Sequence, residues 1–266
     1  MTSCGEYQSL LKSNDYNLVY KKAIEYYNKG DYQRAMNLLD GVRSVFVGQA
    51  KAQNIAYYRA FCSYNMKDYQ IASDLFKQFI QTYPESSFAE ECLYMMGFCD
   101  YKASPKPRLD QQVTEKAIRE FQLYLSRYPY SMRKDKVNTY MDEMRDKLSY
   151  KAYLSAKNYY LREHYKAAVI SLQNCLKDYP GSKYREEIMY MLFVSKYQMA
   201  VNSVEDKKVE RYNNAREEYY YFADEYPNSK FAADMKKKYD IINDYLKDYK
   251  FDDWSWWDSE PFLRKQ

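Results

Sequence analysis

Apolar and aromatic residues recur along this chain at helical spacing, and they recur in one frame. An alanine is followed four residues on by a bulky side chain and twelve residues on by the proline of a Tyr-Pro. The sets are Ala72, Phe76 and Pro84; Ala117, Phe121 and Pro129; Ala168, Leu172 and Pro180; and Ala215, Tyr219 and Pro227. Ser86, Ser131, Gly181 and Ser229 come close behind the prolines, and Ala35 with Leu39 opens the frame once more upstream without a proline. N-terminal to each set lies a second stripe. A small residue stands at Ala23, Ala60, Gly97 and Ala156, with Phe193 in its place in the fifth unit. Four residues later comes a tyrosine in all five, Tyr27, Tyr64, Tyr101, Tyr160 and Tyr197. Small residues let two helices approach closely, so the pattern predicts five helix hairpins. Their turns read Lys29-Gly30-Asp31-Tyr32, Met66-Lys67-Asp68-Tyr69 and Glu163-His164-Tyr165, with Gly and Asp supplying turn and N-cap chemistry.

Self-similarity at intervals of roughly 34–50 residues is the signature of a solenoid, and A-x3-F…P matches the second helix of a tetratricopeptide (TPR) repeat. The expected fold is all-α: a right-handed α-solenoid of five TPR hairpins with a long central connecting helix and a C-terminal capping helix. Such an array offers a surface for holding other proteins more readily than a pocket for chemistry. Two departures from regular spacing mark where the array is modified. Tyr-to-Ala spacing within a unit is eight residues in the first, second and fourth repeats, sixteen in the third and eighteen in the fifth. This predicts a loop at Ala103–Arg108 and a polar one around Asn202–Asp206, and insertions in repeat proteins map to one face. From Pro129 to Ala156 is 27 residues, against 13 from Pro84 to Gly97 and from Pro180 to Phe193. Val137, Tyr140, Met141, Met144 and Leu148 keep helical spacing through the extra segment. About thirty residues of continuous helix are expected there, a strut between a three-repeat half and a two-repeat half. Phe231, Met235, Tyr239, Ile242 and Leu246 predict a capping helix after the last repeat. The expected divisions are residues 1–15 as an N-terminal linker, 16–148 as repeats 1–3, 149–249 as repeats 4–5 with the cap, and 250–266 as a tail.

Composition narrows the picture little further. Of 266 residues 46% are hydrophobic and 29% charged, and 6 Gly with 7 Pro leave little room for β-turns. A net charge of +4 with alternating signs reads as solvated helix faces rather than a nucleic-acid stripe. No apolar run reaches the length of a membrane span. Catalysis has little foothold: the single histidine, His164, sits in a turn, and no phosphate loop, G-x-S-x-G or H-E-x-x-H is present. The pairs Glu90-Glu91, Glu186-Glu187 and Glu217-Glu218 read as solvated faces. Cys62, Cys92, Cys99 and Cys175 read as small core residues, with no metal or other cofactor expected.

The 34 tyrosines carry the more informative chemistry. The column Tyr27, Tyr64, Tyr101, Tyr160 and Tyr197 lies on the first helices, which line the groove of a TPR array. Two readings stay open: a ladder for ligand, to which tyrosine brings contact area and a polar tip, or rings packed between repeats. A carboxylate clamp for chaperone tails is not expected, because Tyr20 and Ile24 occupy the relevant positions of the first repeat. All three tryptophans fall in Phe251-Asp252-Asp253-Trp254-Ser255-Trp256-Trp257-Asp258. Exposed, such a stretch is costly, so it folds back on the last helix or docks on a partner.

The run Met144-Arg145-Asp146-Lys147-Leu148…Ala156-x-x-Tyr159-Tyr160-x-Arg162-x-x-Tyr165-x-Ala167-Ala168, with Tyr94-x-x-Gly97 and the insertion Arg108-Leu109-Asp110-Gln111-Gln112, resembles the BamD family. These are the TPR lipoproteins of the outer-membrane β-barrel assembly machinery. The resemblance spans roughly residues 16–249; Ala152 stands where the family often has Glu, and the tail after Lys250 has no counterpart. It implies that Cys4, in Thr2-Ser3-Cys4-Gly5, carries a lipid anchor to the membrane. The charged and apolar regions expected before such a cysteine are not in the sequence, which is expected to be a trimmed form. It further implies a scaffold at the periplasmic face of the outer membrane. The C-terminal repeats, with Tyr160, Arg162 and Tyr197 as candidate contacts, would bind a POTRA domain of BamA. The groove at Tyr27, Tyr64 and Tyr101 would receive unfolded outer-membrane β-barrel proteins, and other lipoproteins of the machinery would be partners; nucleic acid would not. The alternative is a soluble cytoplasmic TPR adaptor.

Overall fold

The structure, a computed structural model, describes residues 3–258, with side chains described for residues 5–249. Among the described residues every regular element is an α-helix. Five hairpins follow one another: α2 (Tyr16–Asn28) with α3 (Tyr32–Val42), α4 (Ala50–Asn65) with α5 (Tyr69–Thr82), α6 (Ala89–Ala103) with α7 (Gln112–Arg127), the end of α8 (Lys134–Leu161) with α9 (Tyr165–Asp178), and α10 (Arg185–Val201) with α11 (Glu205–Glu225). A nine-residue helix α1 (Ser3–Leu11) precedes them and α12 (Ala232–Asp258) follows. The chain divides into two compact units, residues 1–145 and 146–266, with the division inside α8. In each unit consecutive hairpins stack in the TPR α-solenoid manner.

The small positions explain why the hairpins close. Ala23, Ala35, Ala60, Ala72, Ala117, Ala156, Ala168 and Ala215 are all completely buried. At Gly97 even a methyl group has no room, since a Cβ there would lie 2.9 Å from Cδ1 of Phe121. The bulky residue four positions after each second-helix alanine fills the adjoining space: Leu39, Phe76, Phe121 and Leu172 are fully buried. The four described cysteines are unpaired and buried among these side chains.

Several segments differ from the sequence expectation. Residues 3–11, within the segment expected as a linker, form α1, and Tyr7 and Leu10 enter the core of the first repeat. Asn37 Nδ2 donates to Tyr7 Oη at 3.1 Å, and the Arg34 guanidinium lies 5.3 Å from the centre of the Tyr7 ring. The eight-residue loop of the third repeat is pinned rather than loose. Gln111 Nε2 donates to the carbonyls of Lys106 at 2.8 Å and Leu109 at 3.2 Å, while Thr114 Oγ1 donates to Gln111 Oε1 at 2.7 Å. The loop expected around Asn202–Asp206 shrinks to the residues between Val201 and Glu205. Its other residues extend α11 instead, because Glu205 and Asp206 place negative charge in the first turn, where the helix dipole favours it. The Trp-rich tail and the Cys4 side chain lie outside the described side chains.

Three hairpin turns share one backbone device. The amides of Gly30, Lys67 and Glu163 donate three residues back, to Tyr27, Tyr64 and Tyr160. The next amides, of Asp31, Asp68 and His164, donate five back, to Tyr26, Ser63 and Tyr159. This is a Schellman cap, whose turning residue must be left-handed: φ is +81° at Gly30, +68° at Lys67 and +59° at Glu163. Lys67 and Glu163 therefore hold a conformation that costs a residue with a Cβ about 1–2 kcal/mol. Lys67→Gly and Glu163→Gly are each expected to stabilise by about 1 kcal/mol, read as a rise in Tm of a few degrees, whereas Gly30→Lys lowers it. Thermal melts of the three variants check the assignment, and a fall for both glycine variants contradicts it.

Candidate functional site

The tyrosine column on the first helices is occupied by packing. In the first unit Tyr27 meets Tyr32 of its own hairpin at 5.5 Å and Tyr58 of the next at 4.9 Å. Burial first, then the neighbouring Cys62, pushes its phenol up to about 12. Tyr64 contacts Phe98 of the following repeat at 6.2 Å, and Tyr101 stacks on Tyr140 of α8 at 4.4 Å. The Tyr101 hydroxyl donates to Glu143, and burial followed by that bond raises its pKa to about 12. In the second unit Tyr160 is half-buried between two core clusters, and Tyr197 contacts Phe193 and Tyr212. Arg162, by contrast, is exposed in the turn after α8.

A second column lies seven residues before the first: Tyr20, Tyr57, Tyr94, Tyr153 and Tyr190. Seven residues is two helical turns, so both columns share a helix face. The signal was present in the spacing and unused. Tyr57 contacts Phe88 at 4.6 Å, Tyr153 stacks on Tyr184 at 4.3 Å, and Tyr190 on Phe231 at 4.2 Å. Each partner stands four residues after a repeat's proline, so this column fastens one hairpin to the turn that follows.

Two of the three acidic pairs prove to be fasteners, not solvated faces, while Glu217 of the third is exposed. Glu90 Oε1 accepts from Tyr124 at 3.0 Å and from Ser131 at 2.7 Å, and Glu186 Oε1 accepts from Ser229 at 2.6 Å. Glu91 accepts from Tyr57 at 2.9 Å, and Glu187 pairs with Lys157 at 2.7 Å. Burial here raises the cost of leaving these carboxylates without donors, so each has one. Sequence alone placed them on helices but could not say which helix faced them.

The third repeat holds the one acidic cluster that is not fully neutralised among the described residues. Asp100 on α6 and Glu120 on α7 are both buried. Lys116 Nζ lies 2.8 Å from Asp100 Oδ2 but 3.7 Å from Glu120 Oε1, and Ser73 Oγ of α5 donates to Asp100 at 3.1 Å. Glu120 Oε2 has no partner. Burial, then the adjacent Asp100, pushes the Glu120 carboxyl up to about 8, so at neutral pH it keeps its proton. For Lys116 burial, the largest single effect, opposes the charge, but the bond to Asp100 together with the nearby carboxyls of Asp100, Glu120 and Asp74 outweighs it and raises the pKa. The equivalent positions of the fifth repeat, one residue before Tyr197 and one before Tyr219, carry Lys196 and Glu218, which form an ion pair at 2.5 Å. Two carboxyls in the third repeat thus replace an opposite pair.

Each unit also presents a cavity. In the first, about 350 Å³ lies between α5 and α7 over α6, with Lys77, Lys116 and Arg119 around apolar Ile80, Leu93 and Leu123. In the second, about 680 Å³ opens at the ends of the last two hairpins, lined by Glu163, His164, Lys166, Ile170, Met199 and Arg211. Among the described residues no group of His, Cys, Asp and Glu could hold a metal ion, and no helix is long and apolar enough to cross a membrane.

The sequence profile of the YfiO family, outer membrane lipoproteins, matches residues 12–187 and again 152–253. The chain belongs to that family, the BamD family of the resemblance above. No curated protein sequence matches it. Solved structures align over most of its length at low identity. The TPR2AB domain of yeast Sti1 in complex with an Hsp90 peptide is 14% identical, covering 86% of this chain and 98% of that one, with a TM-score of 0.39. A TPR repeat protein of Bacteroides fragilis is 12% identical, covering 88% and 100%, at 0.41. The human IFIT1 dimer is 16% identical, covering 88% and 59%, at 0.31. This chain's own helix hairpins, repeated in the TPR frame, make it an all-helical TPR-type member of this family of outer membrane lipoproteins.

Two predictions follow from the packing. Tyr27→Ala and Tyr64→Ala are expected to destabilise by about 2–3 kcal/mol, somewhat below the range for fully buried rings because both are half-exposed; a denaturant titration reads this, and unchanged midpoints would return the column to a purely ligand-facing role. For Glu120, the folded pKa lies above the unfolded one, so the native state holds a proton that the unfolded state releases. Stability is then lost as pH rises from about 4.5 to about 8. Glu120→Gln, neutral at every pH, should gain up to about 4 kcal/mol over the wild type between pH 5 and pH 9. Denaturation curves at both pH values decide it, and a pH-independent difference between the two proteins counts against the assignment.

Proposed function

We propose that this protein is a scaffold of the outer-membrane β-barrel assembly machinery, anchored through Cys4 at the periplasmic face and binding a POTRA domain of BamA through its second unit. Family membership over residues 12–253 supports the setting. The observation that carries the partner surface is the open cavity of the second unit, whose lining residue Glu163 directly follows the exposed Arg162 in the chain. Its lining combines Ile170 and Met199 with Lys166, Arg211 and Glu163, an apolar centre with a charged rim, which is the anatomy of a transient protein interface. Leu161 and Val204, both exposed, stand two residues in the chain from the lining residues Glu163 and Asn202. Of the three partner candidates read from sequence, Arg162 is the one free to make new contacts, while Tyr160 and Tyr197 support the helices that carry it. In the first unit, the groove beside Tyr27, Tyr64 and Tyr101 receives unfolded β-barrel segments, the edges of the packed rings offering hydroxyls and apolar area. Other lipoproteins of the machinery join the same scaffold.

Arg162→Glu combined with Ile170→Asp tests the partner surface, since both side chains are exposed and the change adds no buried charge. Binding of a soluble BamA periplasmic fragment by the full chain is expected to weaken at least about tenfold, roughly the effect of losing 1.4 kcal/mol, with the melting curve unchanged. Binding that survives this double variant, in a protein that melts normally, refutes the assignment of the second unit.

A further inference from the structure

The turns that follow the Tyr-Pro pairs are four copies of one element, and the copy in the third repeat is turned inside out. One residue after the proline the other copies have Glu85, Gly181 and Asn228; three residues after it they have Ser87, Lys183 and Lys230. Four residues after it they place an aromatic ring, Phe88, Tyr184 or Phe231, inward against Tyr57, Tyr153 or Tyr190. In the third repeat the first two positions are Tyr130 and Met132, which are 97% and 102% exposed. The inward position is Arg133, whose guanidinium lies 4.7 Å from the centre of the Tyr94 ring and pairs with Glu91 at 3.5 Å. What the other copies hide is charged here, and what they leave polar is apolar.

The charge of the turn is inverted too. From two residues before the proline to seven after it, residues 82–91 carry three acids and no base. Residues 178–187 carry three acids and two bases, and residues 225–234 two acids and one base. Residues 127–136 carry Arg127, Arg133, Lys134 and Lys136 against the single Asp135. Lys134 and Lys136 are exposed two and four residues after Met132, and Arg127, exposed three residues before Tyr130, donates through one guanidinium nitrogen to the Pro84 carbonyl at 2.9 Å. Folding does not require this. Ser131 makes the same bond to Glu90 that Ser229 makes to Glu186, so the turn closes as the fifth repeat's turn does, and the two apolar side chains add nothing to it.

We propose that the turn after α7 rests in an anionic lipid surface, with Tyr130 and Met132 entering the headgroup region and Arg127, Lys134 and Lys136 at the phosphates. Two apolar side chains raised singly on a turn are too little for a stable protein interface, which needs on the order of 1,000 Å². They suit a membrane boundary, where a tyrosine keeps its hydroxyl wet and lysine stems reach along the surface. The cationic rim adds attraction to anionic lipid. Membership of a family of outer membrane lipoproteins puts the chain within reach of such a surface; the BamA-binding reading is not needed.

A dye sensitive to polarity, attached at Met132→Cys in the full chain, tests the contact. Cys4→Ser removes the N-terminal thiol, and the four remaining cysteines are buried. The reference carries the same dye at Glu85→Cys, the outward position of the second repeat's turn. Vesicles of phosphatidylcholine with phosphatidylglycerol are expected to shift the emission at 132 to the blue and leave 85 unchanged. Pure phosphatidylcholine vesicles should produce little shift, and added salt should reverse it. Tyr130→Ser should weaken the vesicle affinity read at 132 roughly threefold to tenfold, as loss of one partly buried aromatic predicts. Because the dye reports only its own surroundings, binding through the Trp-rich tail cannot imitate the result. Emission at 132 that stays that of water on anionic vesicles, or moves no more than at 85, overturns the proposal. So does a dye at 132 that is buried by a BamA periplasmic fragment but not by vesicles, which would make the turn a protein contact.

Discussion

The close approach of two helices at a pair of small residues is the constraint on which the rest of this structure depends. Ala60 and Ala72, like Ala23 and Ala35, have no exposed surface because each lies where two helix backbones come nearest. Once that distance is set, the residue four positions on the second helix has one place to go, and Phe76 or Phe121 fills it. Gly97 shows how tight the constraint is, since a methyl group there would strike the Phe121 ring. The hairpin is thus a rigid building block, and everything that varies from repeat to repeat varies around it.

Fixing the hairpin leaves the problem of joining one to the next, and aromatic rings with carboxylates solve it. A hairpin buries only one face by itself, so the outer face of its first helix must meet its neighbour. The two tyrosine columns do this with large rings, several of whose hydroxyls are hydrogen-bonded to carboxylates: Tyr57 to Glu91, Tyr101 to Glu143, Tyr190 to Asp234. Tyrosine is suited to this position where phenylalanine is not, because the seam is half-open and its hydroxyl can reach a partly exposed carboxylate at the rim. That accounts for an unusual number of tyrosines without assigning all of them to ligand.

The repeating part of this arrangement was legible in the sequence because it repeats. Alanine with a bulky residue four positions on, followed by Tyr-Pro in four of the five units, located five hairpins, and the unbroken stripe from Val137 to Leu148 located a helix of 28 residues. The parts that were not legible depend on which surfaces meet. Glu90 and Glu91 look like any solvated pair until Ser131 and Arg133 arrive from the next turn. Residues 3–11 carry only Tyr7 and Leu10 as apolar anchors inside the described core, too short a stripe to predict docking. The extension of α11 could not be told from a loop, because Asn202 and Ser203 favour turns while Glu205 and Asp206 favour a helix start. For the site, Arg162 was found through the family resemblance and lies on an exposed turn, whereas the cavity beside it is made by residues from three helices that no linear motif joins.

The third repeat concentrates the departures: glycine at the small position, a pinned loop between its helices, two carboxyls where the fifth repeat has an ion pair, and a turn with apolar side chains facing out. A repeat protein supplies its own controls for such features. The second, fourth and fifth repeats fold through the same contacts with alanine or phenylalanine at the small position and polar residues on the turn, so the hairpin architecture does not demand what the third repeat has. Asp100 and Glu120 go further, since a buried like-charged pair works against folding as pH rises and Lys116 can neutralise only one of them closely. A feature that the architecture neither needs nor gains from has to be explained by what the repeat meets. The argument is strongest at Tyr130 and Met132, where the same turn is built three other times with the opposite polarity and closes through the same serine.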